Sequence, residues 1–343
     1  MFSYSSDKLK LDKKKLRKIV SQYAIPDIWR SLWQIANTLI PYIALFYLTL
    51  RSVEYSYWLT LALSIPTAGF MVRTFIIFHD CGHGSFFKSR RANTVLGNIT
   101  GVLTFTPYQR WKYDHAIHHA TAGDLDRRGI GDVGTWTVEE YIAAPWWKKI
   151  GYRIMRNPII LFTIGAMIVF VFTQRVPLPS QGRRERSSVW WTNLAIAAMI
   201  AVLIWLFGWK TYLLVHIPVL LLGSSAGVWL FYVQHNFEGT YWERHDKWDF
   251  FMASMKGSSY YRLPGVLQWF SGNIGYHHIH HLSARIPNYN LPKCYKENPI
   301  FHIKPITLAS SLKSLRLRLW DEKSRQLVGW KILKRYRKVS ATS

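Results

Sequence analysis

The chain has 343 residues, of which 49% are hydrophobic and 16% aromatic, and its formal net charge is +25. This combination of an apolar body with strongly basic surfaces is typical of a membrane protein that faces anionic lipid. A nucleic-acid-binding protein would also be basic, but it has no use for uncharged runs of membrane-spanning length, so that class is disfavoured. The two cysteines, Cys81 and Cys294, cannot form a disulfide framework, and we expect reduced thiols in a cytoplasmic setting.

Apolar stretches follow one another along the chain. Five of them contain no Asp, Glu, Lys or Arg over 18 or more residues: 31–50, 55–72, 157–174, 187–209 and 211–237. A helix needs about 20 residues to cross a bilayer core about 30 Å thick, so each stretch is long enough to span. A basic stretch precedes the first of them, and we therefore expect no cleaved secretory signal.

The basic residues decide how many of these stretches cross. Five crossings would put the two histidine-rich regions on opposite sides of the membrane. If the 157–174 stretch instead dips into the membrane or lies on its surface, only Arg51 and Lys210 fall in external loops. Lys and Arg in short loops mark the cytoplasmic side. The sequence therefore predicts four spans in two hairpins with both termini cytoplasmic.

The predicted fold is an all-α integral membrane protein, with four transmembrane helices under a helical cytoplasmic cap that carries a histidine-rich metal site. We expect a single domain over residues 1–343. Its parts are a basic N-terminal segment (1–30), a first hairpin (31–78), a cytoplasmic region (79–186), a second hairpin (187–235) and a final cytoplasmic region (236–343).

Histidines are concentrated in four short segments. Three are spaced boxes, namely HxxxH at His79 and His83, HxxHH at His115, His118 and His119, and HxxHH at His277, His280 and His281, and the fourth segment ends the last apolar stretch at His235. Residues three and four apart share a helical face, so HxxxH offers two imidazoles to a common point and HxxHH offers three. Nine such histidines are too many for one ion and suit two. His278 should point elsewhere.

The residues near the histidines indicate which kind of metal they bind. Zinc hydrolases carry an HExxH signature, which is absent, and the Glu-x-x-His pairs of soluble di-iron bundles are absent too. A nitrogen-rich site fits oxygen activation by iron. Asp80 and Asp114 adjoin ligand positions and either orient ring N–H groups or serve only as caps and solvated charges.

The motifs HDCGH, HAIHHATAGDLDRRGIGD, LFYVQHNFEGTYW and GNIGYHHIHHLSARIPNYNL resemble the membrane fatty acid desaturase family, and within it the Bacillus-type bacterial acyl-lipid desaturases. The resemblance covers essentially the whole chain. It implies two irons, O2 as co-substrate, and a reaction that makes a cis double bond in the acyl chain of a membrane phospholipid. It also implies that the eight box histidines are metal ligands, and His235, at the end of the last span, is the candidate ninth ligand.

The resemblance further implies a location in the bacterial plasma membrane. A fused cytochrome b5 motif, His-Pro-Gly-Gly, is absent, so electrons should come from a separate ferredoxin, flavodoxin or similar carrier. The basic cap either docks such an acidic carrier or serves only orientation and lipid contact.

Other functions remain open at this point. A membrane di-iron hydroxylase shares the boxes and differs in giving an alcohol. A metal transporter would need ligands near the bilayer midplane, and a bis-histidine haem protein would need single histidines on facing helices. Neither pattern matches histidines that cluster at the ends of spans.

Overall fold

The computed structural model describes residues 13–340. Helices dominate this range, and they are numbered here in chain order with the strands numbered separately. The helices are α1 Lys13–Tyr23, α2 Ile28–Ser52, α3 Tyr57–His83, α4 Arg90–Leu103, α5 Tyr108–Thr121, α6 Val138–Ala143, α7 Trp146–Met155, α8 Pro158–Phe162, α9 Ile164–Val171, α10 Arg183–Phe207, α11 Trp209–His235, α12 Phe250–Gly257, α13 Gly265–Phe270, α14 His277–Leu282, α15 Leu291–Glu297, α16 Leu308–Ser311 and α17 Ile332–Ser340. The strands are β1 Trp136–Thr137, β2 Tyr261–Arg262, β3 Ile306–Thr307, β4 Leu319–Asp321 and β5 Gln326–Val328.

Among the described residues, four helices are long and apolar enough to cross a membrane: α2, α3, α10 and α11. They form two hairpins, one turning through residues 53–56 and the other at Gly208, where φ is +81°. The predicted number of spanning helices and their pairing are thus confirmed, and so is the predominantly helical fold.

Small polar side chains join the first two long helices. The hydroxyls of Thr49 and Thr67 lie 3.1 Å apart, and those of Ser52 and Thr60 lie 2.8 Å apart. Hydrogen bonds between close-packed small residues are a common means of helix association in membranes, where apolar surface alone gives little driving force. Helix α3 is the innermost of the four. In its most apolar 18-residue stretch 56% of the residues are buried, compared with 17% in the corresponding stretch of α10.

The 157–174 stretch does not form a fifth long helix. It breaks at Thr163 into α8 and α9 and then enters a short 3-10 turn. Met167 and Val171 pack into the same core cluster as Met71 and Val219, which lie near the middle of α3 and α11. The stretch therefore packs alongside the long helices as a short broken element.

Helices α4 and α5 form a hairpin that packs against α3. The two helices approach closely where Gly97 faces the ring of Tyr108, because a Cβ at Gly97 would clash with that ring. The hairpin turns at Phe105, which has a φ of +57°, and its carbonyl accepts a short hydrogen bond from Arg175. Arg175 also donates to Asn193 Oδ1 at 3.1 Å, so it ties the hairpin tip and the broken element to α10.

Short strands pin distant parts of the chain together beyond the long helices. β1 pairs in parallel with β4, with Trp136 opposite Leu319, and β5 pairs antiparallel with β4, with Val328 opposite Leu319. β2 and β3 form a separate parallel pair. The C-terminal region is thus fastened to the segment that follows α5.

Helix α1 packs on the last third of the chain. Leu16 and Val20 lie in a buried cluster with Phe251, Ile286 and Phe301, and this cluster also contains Ile279 of α14. The N-terminal segment therefore supports the third histidine box. Residues 1–12, which belong to the predicted basic N-terminal segment, lie outside the described residues.

Candidate metal centre

The first box lies at the end of α3. His79 and His83 are one turn apart on this helix, with their ring centroids 4.6 Å apart. The helix ends immediately afterwards because Gly84 adopts the left-handed conformation, with φ +65°, and caps it. The chain is thereby turned away directly beyond His83, and both imidazoles remain at the helix end.

The second box divides its three histidines between two directions. His115 and His119 of α5 approach each other, with their Nε2 atoms 3.1 Å apart. The ring of His118 instead lies near His235, with the two Nε2 atoms 3.1 Å apart. The expectation that HxxHH offers all three imidazoles to one point is therefore wrong. Adjacent residues differ by about 100° around a helix, so His118 and His119 face different points.

The third box divides in the same way. His280 Nε2 lies 3.1 Å from His119 Nε2, whereas His277 Nε2 lies 2.9 Å from His235 Nε2. His278 points away from all of these, as the helical spacing predicts, and its Nε2 lies 2.9 Å from the carbonyl oxygen of Phe301.

The nine histidines form two groups, each able to hold a metal ion. Within each group the ligand atoms all lie within 4.8 Å of one another. Group one contains His79, His83, His115, His119 and His280, and group two contains His118, His235, His277 and His281. The groups lie side by side, since the rings of His119 and His281 stack at 4.1 Å.

Hydrogen bonds behind the imidazoles set their orientation. His118 Nδ1 lies 2.7 Å from Asp132 Oδ1, and His235 Nδ1 lies 3.2 Å from the carbonyl oxygen of Gly257. When Nδ1 donates to these oxygens, Nε2 keeps a lone pair that faces the group. His79 Nδ1 lies 3.1 Å from Asp80 Oδ1.

The two aspartates singled out from the sequence have different surroundings. Asp80 contacts His79 and also accepts hydrogen bonds from the backbone and side chain of Asn288, at 2.7 and 2.8 Å. Asp114 instead accepts from Gln181, and its Oδ2 lies 3.7 Å from Arg110 Nε.

Asp132 was missed by the sequence analysis. It lies in a loop beyond α5, where no helical spacing links it to His118. Gly131 has a φ of +70°, and a Cβ there would come within 3.0 Å of His118 Cβ. The glycine lets the loop approach the helix, and the Gly-Asp pair after the second box was the available signal.

Burial favours the neutral form of five imidazoles in the second and third boxes. Burial lowers the pKa of these five side chains well below the ordinary value of 6.5, and neighbouring imidazoles lower it further. The five are His115, His119, His277, His280 and His281. Neutral imidazole is the form that binds metal. His83 Nε2 and His281 Nε2 are buried without a hydrogen-bond partner among the described residues. Convergent neutral nitrogens with unused lone pairs fit two transition-metal ions such as iron.

A small apolar cavity of about 30 Å³ lies between α3 and α11. It is lined by Met71, Val72, Phe75, Thr104, Phe170, Gly223, Ser224 and Gly227. Phe75 precedes His79 by one turn and packs edge-on against Trp111 at 5.6 Å, and Trp111 stacks on His115 at 4.2 Å. Phe75 therefore connects the lining of the cavity to the ring contacts of group one.

A set of basic residues, here called the cationic rim, lies near the start of the second box. It consists of Arg90, Lys112, Arg184 and Arg285. Burial lowers the pKa of the half-buried Lys112, and the three arginines lower it further. No ion pair formed within residues 13–340 involves a rim residue. Lys112 lies one turn before His115 on α5, so this positive surface borders the metal centre.

Four long apolar helices with two histidine groups at one end define an integral membrane protein built to hold metal. The chain belongs to the fatty acid desaturase family, because the model of that family, described as fatty acid desaturase, matches residues 56–301. The resemblance read from the histidine motifs is confirmed, and the protein is accordingly an enzyme, an oxidoreductase of lipid metabolism.

Relatives agree with this assignment. A fatty acid desaturase of Bacillus subtilis is 48% identical over 322 residues, which cover 94% of this chain and 92% of the relative. Two Synechocystis proteins are more distant. The sn-1 acyl-lipid omega-3 desaturase (ferredoxin) is 30% identical over 68% of this chain and 64% of its own length. The sn-1 oleoyl-lipid 12-desaturase is 26% identical over 70% of this chain and 68% of its own length.

Proposed function

We propose that the protein is an oxygen-dependent acyl-lipid desaturase that introduces a cis double bond into the acyl chain of a membrane phospholipid. The observation that carries the proposal is the pair of histidine groups at the ends of the apolar helices, with a small apolar cavity lined by Phe75 one turn before His79. Two metals side by side suit a four-electron reduction of O2, and an apolar cavity suits a hydrocarbon chain. The relatives named as acyl-lipid desaturases support the same substrate class.

The proposed ligands are the nine grouped histidines, with one iron in group one and the other in group two. Asp80 and Asp132 would orient His79 and His118 from behind, and the Gly257 carbonyl would do the same for His235. Asp114 has no such role in this proposal, because its carboxylate is occupied by Gln181 and Arg110.

The reaction balances with one O2. An adjacent pair of methylenes loses two hydrogens, and these, together with two electrons from a carrier and two protons, reduce O2 to two waters. Imidazole-bound iron would supply the oxygen activation and the one-electron redox capacity. The apolar side chains around the cavity would contact part of the acyl chain and exclude water from it.

The electron donor is proposed to be a separate acidic carrier such as ferredoxin or flavodoxin. The cationic rim supports this, because it is positive, forms no ion pair within residues 13–340 and lies near the second box. Charge complementarity of this kind speeds encounter and orients partners. A Synechocystis relative is named as a ferredoxin-dependent enzyme.

The proposed location is the bacterial plasma membrane, with a single domain over residues 1–343 and both termini cytoplasmic. The distribution of Lys and Arg supports this orientation, since the two turns of the spanning hairpins carry only Arg51 and Lys210. The histidine groups would then face the cytoplasm.

The test is expression in a host without desaturases, followed by location of double bonds in its lipids. We expect a new cis alkene, and an alcohol instead would indicate the related hydroxylase. His235→Ala should abolish the product and lower the iron content. His216→Ala is the matched control on the same helix, since that ring stacks on Tyr212 at 4.9 Å and lies outside both groups, and it should do neither. A fully active His235→Ala enzyme with normal iron would remove His235 from the ligand set.

A further inference from the structure

Arg156 is a buried cation that belongs to neither histidine group. It directly follows α7, and only 1% of its surface is exposed. Its Nη2 donates to Asn236 Oδ1 at 2.9 Å, to the Leu317 carbonyl at 3.2 Å and to the Tyr232 hydroxyl at 3.3 Å. These partners are all neutral, and Nε and Nη1 have no hydrogen-bond partner among the described residues. A buried guanidinium without a carboxylate is unfavourable unless its surroundings compensate.

The compensation comes from the end of α11. Tyr232 is in its last turn and Asn236 is its C-terminal cap, so the guanidinium lies where the helix dipole is negative. The Arg156 guanidinium also lies over the Tyr232 ring, 5.2 Å from its centroid. The favourable position of this cation therefore depends on where the last helix ends.

His235 lies between the two α11 residues that Arg156 contacts. Tyr232 and Asn236 are also fastened to the C-terminal region, because the Tyr232 hydroxyl lies 3.1 Å from the Leu317 carbonyl and Asn236 Nδ2 donates to the Ser314 carbonyl at 3.3 Å. Arg156, α11 and residues 314–317 thus form one buried network around the backbone of His235.

We infer that Arg156 is a positioning residue for the second metal, acting by fixing the end of α11 so that His235 reaches group two. The inference rests on the proposed two-metal function. Group one takes no ligand from α11, so it should not depend on Arg156. The two groups should consequently respond differently to loss of this arginine.

Iron(II) titration of the full-length protein in detergent tests the inference. Arg156→Met should weaken binding of one iron by ~10–100-fold, the usual effect of removing a group that orients a ligand, and leave the other unchanged. Arg156→Lys, which keeps the positive charge but lacks the planar guanidinium with its several donors, should give a smaller loss of affinity for that iron. Lys148→Met, an exposed change on α7, is the control and should bind two irons normally.

Tyr232→Phe keeps the test decisive if Arg156→Met does not fold. It removes only the hydroxyl, and it should show the same selective weakening in a smaller degree. Wild-type affinity for both irons in folded Arg156→Met, or in Tyr232→Phe when Arg156→Met does not fold, would overturn the inference, and so would an equal loss of both irons. A wild-type chain that binds a single iron would instead overturn the two-metal proposal itself.

Discussion

At the scale of single residues, the neighbouring histidines of each HxxHH box serve different groups. His118 and His119 are adjacent on α5, yet one contributes to group two and the other to group one. His280 and His281 are divided in the same way on α14. On the proposed ligand set, the paired imidazoles of the box would bring two metals close together, because about 100° of helix rotation separates two adjacent residues.

His278 gives a prediction about which histidines of the third box matter. His278→Ala should keep measurable desaturation, because its ring bonds to the Phe301 carbonyl rather than joining a group. It should lower stability by about 1–3 kcal/mol, since the buried carbonyl loses its partner. His277→Ala, the matched variant one residue away, should abolish activity. Product analysis and melting temperatures in detergent measure both effects, and equal loss of activity in the two variants would contradict the prediction.

At the scale of elements, the sequence predicted the long helices and missed the tertiary contacts of the loops. The lengths of the apolar runs and the positions of Arg51 and Lys210 were sufficient to predict four spanning helices. Both signals can be read from short segments of sequence, because bilayer thickness sets the length of a span and basic loop residues set its orientation. The contacts of Arg156 with Asn236 and of Asp132 with His118 join segments without a shared periodicity. Helical spacing also predicted that the histidines of each box converge on one metal position. Spacing shows which residues share a helical face, but it does not show how many metal positions lie around that helix.

The broken α8–α9 element gives a prediction about topology. In a variant lacking both native cysteines, single cysteines at Arg51 and Lys210 should react with an impermeant reagent added from outside the cell. A cysteine at Arg184 should react only after permeabilisation, because the 157–174 stretch is broken at Thr163 and neither α8 nor α9 is long enough to cross. Labelling of the Arg184 site in intact cells would mean that this stretch does cross.

The close approach of α4 and α5 gives a prediction about stability. Gly97→Ala should lower the free energy of unfolding by about 1–3 kcal/mol, because its methyl group would overlap the Tyr108 ring, which is buried and held by a hydrogen bond to the Cys81 carbonyl. Gly151→Ala on α7 is the matched control. Nothing lies within 4 Å of that added methyl group, so it should raise stability by about 0.5–1 kcal/mol. Thermal melting in detergent compares the two, and a Gly97→Ala protein as stable as the wild type would contradict the packing described.

At the scale of the whole molecule, charge and apolar surface are separated. The long helices present apolar side chains such as Trp33, Ile40 and Trp205 outward, whereas the rim cations lie beside the metal centre. The net charge of +25 predicted a basic face, but only the folded chain brings residues from α4, α5, α10 and the loop after α14 together. Composition alone could not locate that surface.

The cationic rim gives a prediction about electron delivery. Reversing the charge in an Arg90→Glu, Arg285→Glu double variant should slow ferredoxin-dependent desaturation by ~10-fold or more at low ionic strength, because steering by opposite charges is lost. The difference should shrink in high salt, and iron content should stay normal. Lys334→Glu, an exposed change on α17, is the control. A double variant as fast as the wild type at low salt would place the carrier elsewhere.

The contribution of α14 to both groups has a consequence for the biogenesis of the enzyme. On the proposed ligand set, His280 completes group one and His277 and His281 complete group two, and all three emerge from the ribosome after every spanning helix has been made. The nascent chain would therefore enter the membrane with the first and second boxes synthesised but with neither metal cage closed. Iron loading would then be a late step of maturation, and a truncated translation product ending before α14 would be inserted in the bilayer but remain unable to assemble either cage.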